Sequence, residues 1–303
     1  MAPDSARRQP AVRNGSRLVS GVLLALAAWA ICGSATAEDR ATAPRPERIV
    51  SLSVCVDEIL LRLADRSQIA SLTAQAANPG FSTIAGKLRG IRLNTGRAED
   101  VARLNPDLVI SDSFNARTTV HLLKRMKFRV ETVSYAATAQ QIRRNISRIA
   151  ALAGQPKRGQ AMIARFDRLL ARYRRPPSDK RPGILFYQAR GFVPGKGTLA
   201  DAAMTDAGFL NVARRLRVSG VGQISLEQLV LAAPDVVVFL RAVRNAPSMA
   251  QASFRHPALR RLKNRIVLAP MPSNLLNCGG PAYTEAVQRL AALRKKVTAR
   301  HGR

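Results

Sequence analysis

The sequence predicts an α/β protein of two lobes, each built on a mostly parallel sheet, joined by one long bridging α-helix. Three features carry this expectation. Strand-like and helix-like segments alternate from residue 46 to 137, the pattern of a parallel sheet with helices on its faces. Strand signals are then absent from Thr138 to Arg174, and the alternation resumes over 180–298. A helix–Pro-Asp–strand unit also occurs once in each half, as "AEDVARLNPDLVISD" (98–112) and "SLEQLVLAAPDVVVFL" (225–240), with Glu99 and Glu227 in the same place 128 positions apart.

In the first half, "RPERIVSLS" leads into a strand through Ile49, Val50 and Leu52, and "VDEILLRLA" has apolar residues at 56, 59, 60 and 63, a helical period. "IASLT" is a second strand, "PGFSTIAGKLRG" a loop, and "IRLNTG" leads to the helix holding Glu99. "DLVISD", "TTVHLLKRMKF" and "RVETVSY" give strand, helix and strand.

The middle, 138–175, holds two helices. "TAQQIRRNISRIAALAG" stops at Gly154, a residue suited to the position after a helix end, and Pro156 suits the first position of the next. That next helix, "PKRGQAMIARFDRLLARYRR", extends roughly 28 Å at 1.5 Å per residue, long enough to cross between lobes. "RPPSDKRPG" punctuates its end. In the second half, "GILFYQ" is a strand, "GTLADAAMTDAGF" a helix broken near Gly208, "SLEQLVLAA" a helix and "DVVVFL" a strand. "HPALRRL", "NRIVLAP" and "GPAYTEAVQRLAALRKK" give short helix, strand and closing helix.

Residues 1–37 have the order of a secretory signal peptide: Arg7, Arg8, Arg13 and Arg17, then an apolar run of 14 residues, "LVSGVLLALAAWAI", then Ala35-Thr36-Ala37 as a small-residue cleavage site. The apolar run falls short of the roughly 20 residues of a membrane span. Cleavage after Ala37 and export are expected. The full chain has 49 Lys+Arg against 19 Asp+Glu, a net charge of +30. The excess is spread along the chain, as on a solvated basic surface, and also suits attraction to an anionic ligand. It is not interleaved with aromatics, and no nucleic-acid partner is expected.

An enzyme is not expected. There is no Gly-x-Ser-x-Gly, no phosphate-binding loop and no GxGxxG. His121, His256 and His301 are scattered, and no Cys/His spacing suits a metal, so neither a catalytic residue, a resident cofactor nor a metal site is expected. The weakest alternative is an exported enzyme using Cys55 as a nucleophile activated near a helix start.

In parallel α/β lobes, ligand contacts come from loops at the carboxyl ends of strands. That rule selects Ser53, Cys55, Gln75 and Asn78, then Ser113, Phe114, Asn115 and Arg117 in the first lobe. In the second it selects Tyr187, Gln188, Arg190, Phe192, Arg241, Asn274, Asn277 and Cys278. Arg190 and Arg241 suit carboxylates or an anionic chelate, and Tyr187 and Phe192 suit stacking on a flat one. Cys55 and Cys278, one from each lobe, have three open states: free thiols, an inter-lobe disulfide or soft metal ligands.

The export signal, "RIVSLS", the paired E-x6-P-D-[LV]-V units and the single bridging helix together resemble the periplasmic solute-binding proteins of ABC importers for ferric siderophores, haem and cobalamin. The likeness covers about 46–293. It departs at the first turn, where "SLSVCVDE" stands for the family's S-L-S-P-S-x-T-E, with Cys55 and Asp57 in place of small or hydroxyl residues. The sole Trp, Trp29, lies in the leader, so composition does not favour a corrin ring gripped by aromatics. The resemblance implies capture of an iron chelate (ferric siderophore or haem) or cobalamin in the inter-lobe cleft. It also implies an ABC permease dimer with ATPase subunits as partner, and docking through one exposed glutamate per lobe, here Glu99 and Glu227. A corrinoid or metal-chelate sensor without a transport role is the alternative.

Overall fold

The computed structural model describes residues 45–114, 116–176, 181–241 and 266–301, with the side chains of 241 and 301 left out. The leader, Asn115, the Arg241 side chain, His256 and the helix expected at "HPALRRL" lie outside the described residues.

The first lobe is a five-stranded parallel sheet in the order β3-β2-β1-β4-β5. Its strands are β1 (Ile49–Ser51), β2 (Ile69–Thr73), β3 (Leu93–Asn94), β4 (Leu108–Asp112) and β5 (Val130–Val133). Alternation along each strand feeds two cores. Ile49, Leu108 and Ile110 face inward with α1 (Val54–Leu63), whereas Val50 and Val109 face outward under α2 (Ala98–Ala102) and α3 (Arg117–Arg125). Full burial of each such side chain contributes roughly 1.5–3 kcal/mol.

The chain then makes α4 (Ala139–Leu152), capped by Thr138, and α5 (Pro156–Tyr173), which begins with Pro156 as expected. The two helices meet closely at Gly159, where an added Cβ would collide with the Ala150 methyl. Phe166 of α5 stacks on Tyr283 with ring centroids 6.1 Å apart, and the Arg143 guanidinium of α4 covers it at 5.7 Å. Because Tyr283 belongs to the closing helix, α5 is packed from both lobes.

The second lobe has a four-stranded parallel sheet in the order β11-β10-β6-β8. It comprises β6 (Gly183–Phe186), β8 (Leu210–Asn211), β10 (Val236–Arg241) and β11 (Val267–Pro272). An antiparallel ribbon of β7 (Phe192–Pro194) and β9 (Val221–Gln223) stands beside it. The helices are α6 (Leu199–Asp206), α7 (Val212–Arg215), α8 (Leu226–Ala232) and α9 (Tyr283–His301). Alternation repeats here: Ile184, Phe186, Val236 and Val238 join the central core, while Leu185 and Val237 face α7 and α8. Just inside α6, next to its Thr198 cap, lies a polar knot. Asp201, 3% exposed, accepts from Nε and Nη2 of Arg214 at 2.7 and 2.6 Å and from the Asn211 amide at 2.9 Å.

Strand β3, strand β8, helix α7 and the β7–β9 ribbon were not expected. Each is two to four residues long, too short for a hydrophobic period to register.

Candidate functional site

A cleft of about 200 Å³ opens where the carboxyl ends of the first lobe's strands face a second-lobe loop. Cys55 and Ile59 of α1, Asp112 ending β4 and Phe114 after it, Val133 to Ala136 at the end of β5, and Asn145 and Ile149 of α4 form the first-lobe wall. Asn277 and Gly279 close it from the second lobe.

Its aromatic wall is a pair. Phe114, 64% exposed, meets Tyr135 edge to face with ring centroids 5.6 Å apart. Partial burial raises the pKa of the Tyr135 hydroxyl, and the nearby Leu199 amide at the start of α6 pulls it the other way. The Phe81 carbonyl, outside this wall, accepts from the Asn277 amide at 3.3 Å. The exposed Phe114 ring suits a flat partner, which an aromatic face takes up by offset stacking.

The first turn of α1 organises the wall. Ser53 is the N-cap: its oxygen accepts from the Cys55 amide at 3.2 Å and its hydroxyl donates to Asp112. Asp112 in turn accepts from the Phe114 amide at 2.9 Å, fixing the turn that presents the ring. Behind it, Asp57 and Glu58 are buried and hold the loop after β2. Asp57 accepts from the Thr73 amide at 3.1 Å and hydroxyl at 2.5 Å, and Glu58 from the Thr83 amide at 2.6 Å and hydroxyl at 2.8 Å. Burial outweighs these donors and pushes the Asp57 carboxyl up to about 7, and raises that of Glu58. Asp57 Oδ1 and Glu58 Oε2 find no partner among the described groups.

Of the residues selected from sequence, Cys55, Phe114 and Asn277 line the cleft. Cys55 and Cys278 are joined in a disulfide with their Cα atoms 5.0 Å apart. This removes the free-thiol and metal-ligand states from the described structure, and with them the Cys55 nucleophile, because a bridged sulfur has no thiolate to offer. Two direct contacts are corrected. Ser53 is 2% exposed and spends its hydroxyl on capping and Asp112, so it positions other groups. Tyr187 is 3% exposed in the second lobe's outer core, where its ring has no free face, although its hydroxyl feels the charge of Glu227. Gln75, Ser113, Arg190 and Phe192 are exposed but outside the immediate wall. Arg190 takes a left-handed backbone, φ 61°, and its carbonyl accepts from Gln223 at 2.6 Å. Asn274 is committed to the Pro79 carbonyl at 3.0 Å.

Tyr135 and Asp112 were missed, although both stand at carboxyl ends of strands and the strand-end rule would have found them.

Glu99 and Glu227 lie in the first turns of α2 and α8, both exposed. Their helices cover the outer faces of the two sheets, Val101 entering one outer core and Leu229 the other.

The geometry agrees with comparisons to known proteins. A solved haem-binding protein, RhuT from Roseiflexus sp. RS-1, superposes with a TM-score of 0.69 at 23% identity, covering 83% of this chain and 98% of that one. The haem-binding HutB and the vitamin B12-binding BtuF of Vibrio cholerae give TM-scores of 0.67 and 0.63, each at 19% identity. They cover 81% and 84% of this chain and 98% of each of theirs. At these identities the likeness shows the fold. A cobalamin-binding protein of Halobacterium salinarum is 26% identical over 197 residues, 64% of this chain; the chain spans about half, 53%, of that relative's length. The model of the periplasmic binding protein family matches residues 49–264, most of both lobes, and the family is one of binding proteins rather than enzymes. The chain belongs to the periplasmic binding protein family.

Proposed function

We propose that this protein is the exported receptor of an ABC importer, capturing a flat metal chelate in the inter-lobe cleft and delivering it to a membrane permease. The observation that carries the reading is the exposed Phe114–Tyr135 pair, set in a cleft whose far side is formed by Asn277 and Gly279 of the other lobe. Cargo is an iron chelate or cobalamin, the classes bound by the relatives above. Residues 1–37 act as a leader cleaved after Ala37. Arg190 and Arg241 supply positive charge to an anionic cargo. Glu99 and Glu227, one exposed acid on equivalent helices of each lobe, dock the protein on the two permease subunits, where charge complementarity sets orientation.

The test is to purify the exported protein without refolding and record its absorption and native mass, then titrate it with haem, ferric siderophores and cyanocobalamin. A Soret band, a charge-transfer band or a corrin spectrum identifies the cargo. A protein that carries none of these and binds none of the probes removes the reading.

A further inference from the structure

We infer that the Cys55–Cys278 disulfide is a covalent latch across the floor of the cleft, which sets the inter-lobe opening in advance and retains the ligand. The inference rests on the cleft being the ligand site, but its mechanical half stands by itself.

Cys55 is the second residue of α1, in the first-lobe wall of the cleft; Cys278 sits in the loop between β11 and α9 of the second lobe. A bridge 223 residues apart in sequence therefore joins the two lobes directly, away from the peptide crossing at α5. It is the centre of a larger seam. Ser273 donates to the Gly80 carbonyl at 3.0 Å, Asn274 to Pro79 at 3.0 Å, and Asn277 to Gly80 at 3.2 Å and Phe81 at 3.3 Å. These side chains all come from the second lobe, and all their acceptors are main-chain carbonyls of one first-lobe loop. That loop is pinned from behind by Asp57 and Glu58 through Thr73 and Thr83. On the other side of the bridge, Gly279 lies so close to the Ala136 carbonyl that a Cβ there would collide with it.

Hydrogen bonds of this kind break and reform as two lobes rock; a disulfide does not. With the bridge intact, rotation of one lobe on the other must pivot about Cys55–Cys278. The seam beside the pivot stays closed while the far rim of the cleft, at Tyr135 and the start of α6, is left to move. A cleft held near its binding geometry loses less conformational freedom on capture, and this favours retention. Disulfides persist in oxidising compartments, the setting the leader implies.

The experiment places spin labels through a ketone-bearing side chain at Arg125 and Arg215, exposed positions on α3 and α7, so that the cysteines stay untouched. Inter-lobe distance distributions are recorded for the parent, for the Cys55→Ser/Cys278→Ser variant, and for the folded parent reduced in place, which covers a variant that fails to fold. Haem and cyanocobalamin are the ligand probes. The latch predicts a narrow distribution in the parent, broadened about twofold when the bridge is absent, and dissociation of the bound probe accelerated about tenfold. Equal widths with and without the bridge overturn the latch, as does alkylation of both thiols in the unreduced protein. A broadened distribution with unchanged dissociation overturns its role in retention. If neither probe binds the parent, the cargo reading fails, and the distance comparison still decides whether the bridge holds the lobes.

Discussion

Asp107 and Asp235 hold the same place at the foot of the two sheets. Asp107 takes the amides of Glu47, at 2.6 Å, and Arg48, at 3.1 Å, just before β1; Asp235 takes the amide of Gly183, at 2.6 Å, where β6 begins. Each aspartate also donates its own amide to that neighbouring strand lead, to the Arg48 carbonyl at 3.2 Å and the Gly183 carbonyl at 2.9 Å. The repeated Pro-Asp is thus a strand clamp: proline ends the helix, and aspartate ties the new strand to the first strand of its lobe. Asp107→Ala and Asp235→Ala should each destabilise the fold by about 1–3 kcal/mol, because amides at a strand entry lose a charged acceptor. Denaturant midpoints check this; no change in either would show that water replaces the clamp.

The clamp accounts for the aspartates and leaves the glutamates of the repeat to another role. Glu99→Ala with Glu227→Ala should leave ligand affinity unchanged and lower transport and permease-stimulated ATP hydrolysis. Normal transport by the double variant would confine the repeat to folding.

Asp57 gives the protein a pH dependence of its own. Its carboxyl is raised to about 7 in the folded state, from an ordinary 3.8. As pH rises from about 4 to 7 the unfolded chain releases this proton while the folded chain keeps it, so stability falls over that window and then levels. Asp57→Asn keeps an acceptor for Thr73 and removes the titration. It should stabilise the protein by up to a few kcal/mol at pH 8 and by little at pH 4. Melting curves across that range decide it, and an equal effect at both pH values would be inconsistent.

Asp201 works in the opposite sense. Burial alone would raise its carboxyl, but the hydrogen bonds from Arg214, Asn211 and Gly197 outweigh burial and hold it below the usual range. Its contribution is present at neutral pH and is lost as acid titrates it. Asp201→Ala should cost about 1–3 kcal/mol, most of it at neutral pH, by removing the acceptor shared by the buried Asn211 amide and the half-exposed Arg214 guanidinium. A variant as stable as the parent at pH 7 would contradict this.

The aromatic wall should matter to binding and little to folding. Phe114→Ala should weaken capture of the cognate chelate about tenfold, about 1.4 kcal/mol, with the melting temperature nearly unchanged because the ring is mostly in water. Tyr135→Phe separates the ring from its hydroxyl: if the ring alone acts, affinity holds. Fluorescence titration reads both, and an unaltered affinity in Phe114→Ala would move the site elsewhere.

Much of this was legible in the sequence because the signals are local and periodic. Ile49, Val50 and Val236 to Val238 alternate along strands buried on both faces, and Thr138, Gly154 and Pro156 punctuate the two middle helices with residues chosen by backbone chemistry. The strand-end rule brought Cys55, Phe114 and Asn277 to one cleft without any knowledge of contacts. What the tertiary structure alone decided depends on which surfaces meet. Ser53 and Tyr187 stand at strand ends like the others, yet one is spent on a cap and the other is covered by a core. Gly80 and Phe81 offer their carbonyls to Asn277 only when the second-lobe loop arrives. For Cys55 and Cys278 the sequence permitted three chemistries, and spacing along the chain says nothing of distance in space. The docking of the 273–280 loop on residues 78–82 brought their Cα atoms within bridging reach and selected one.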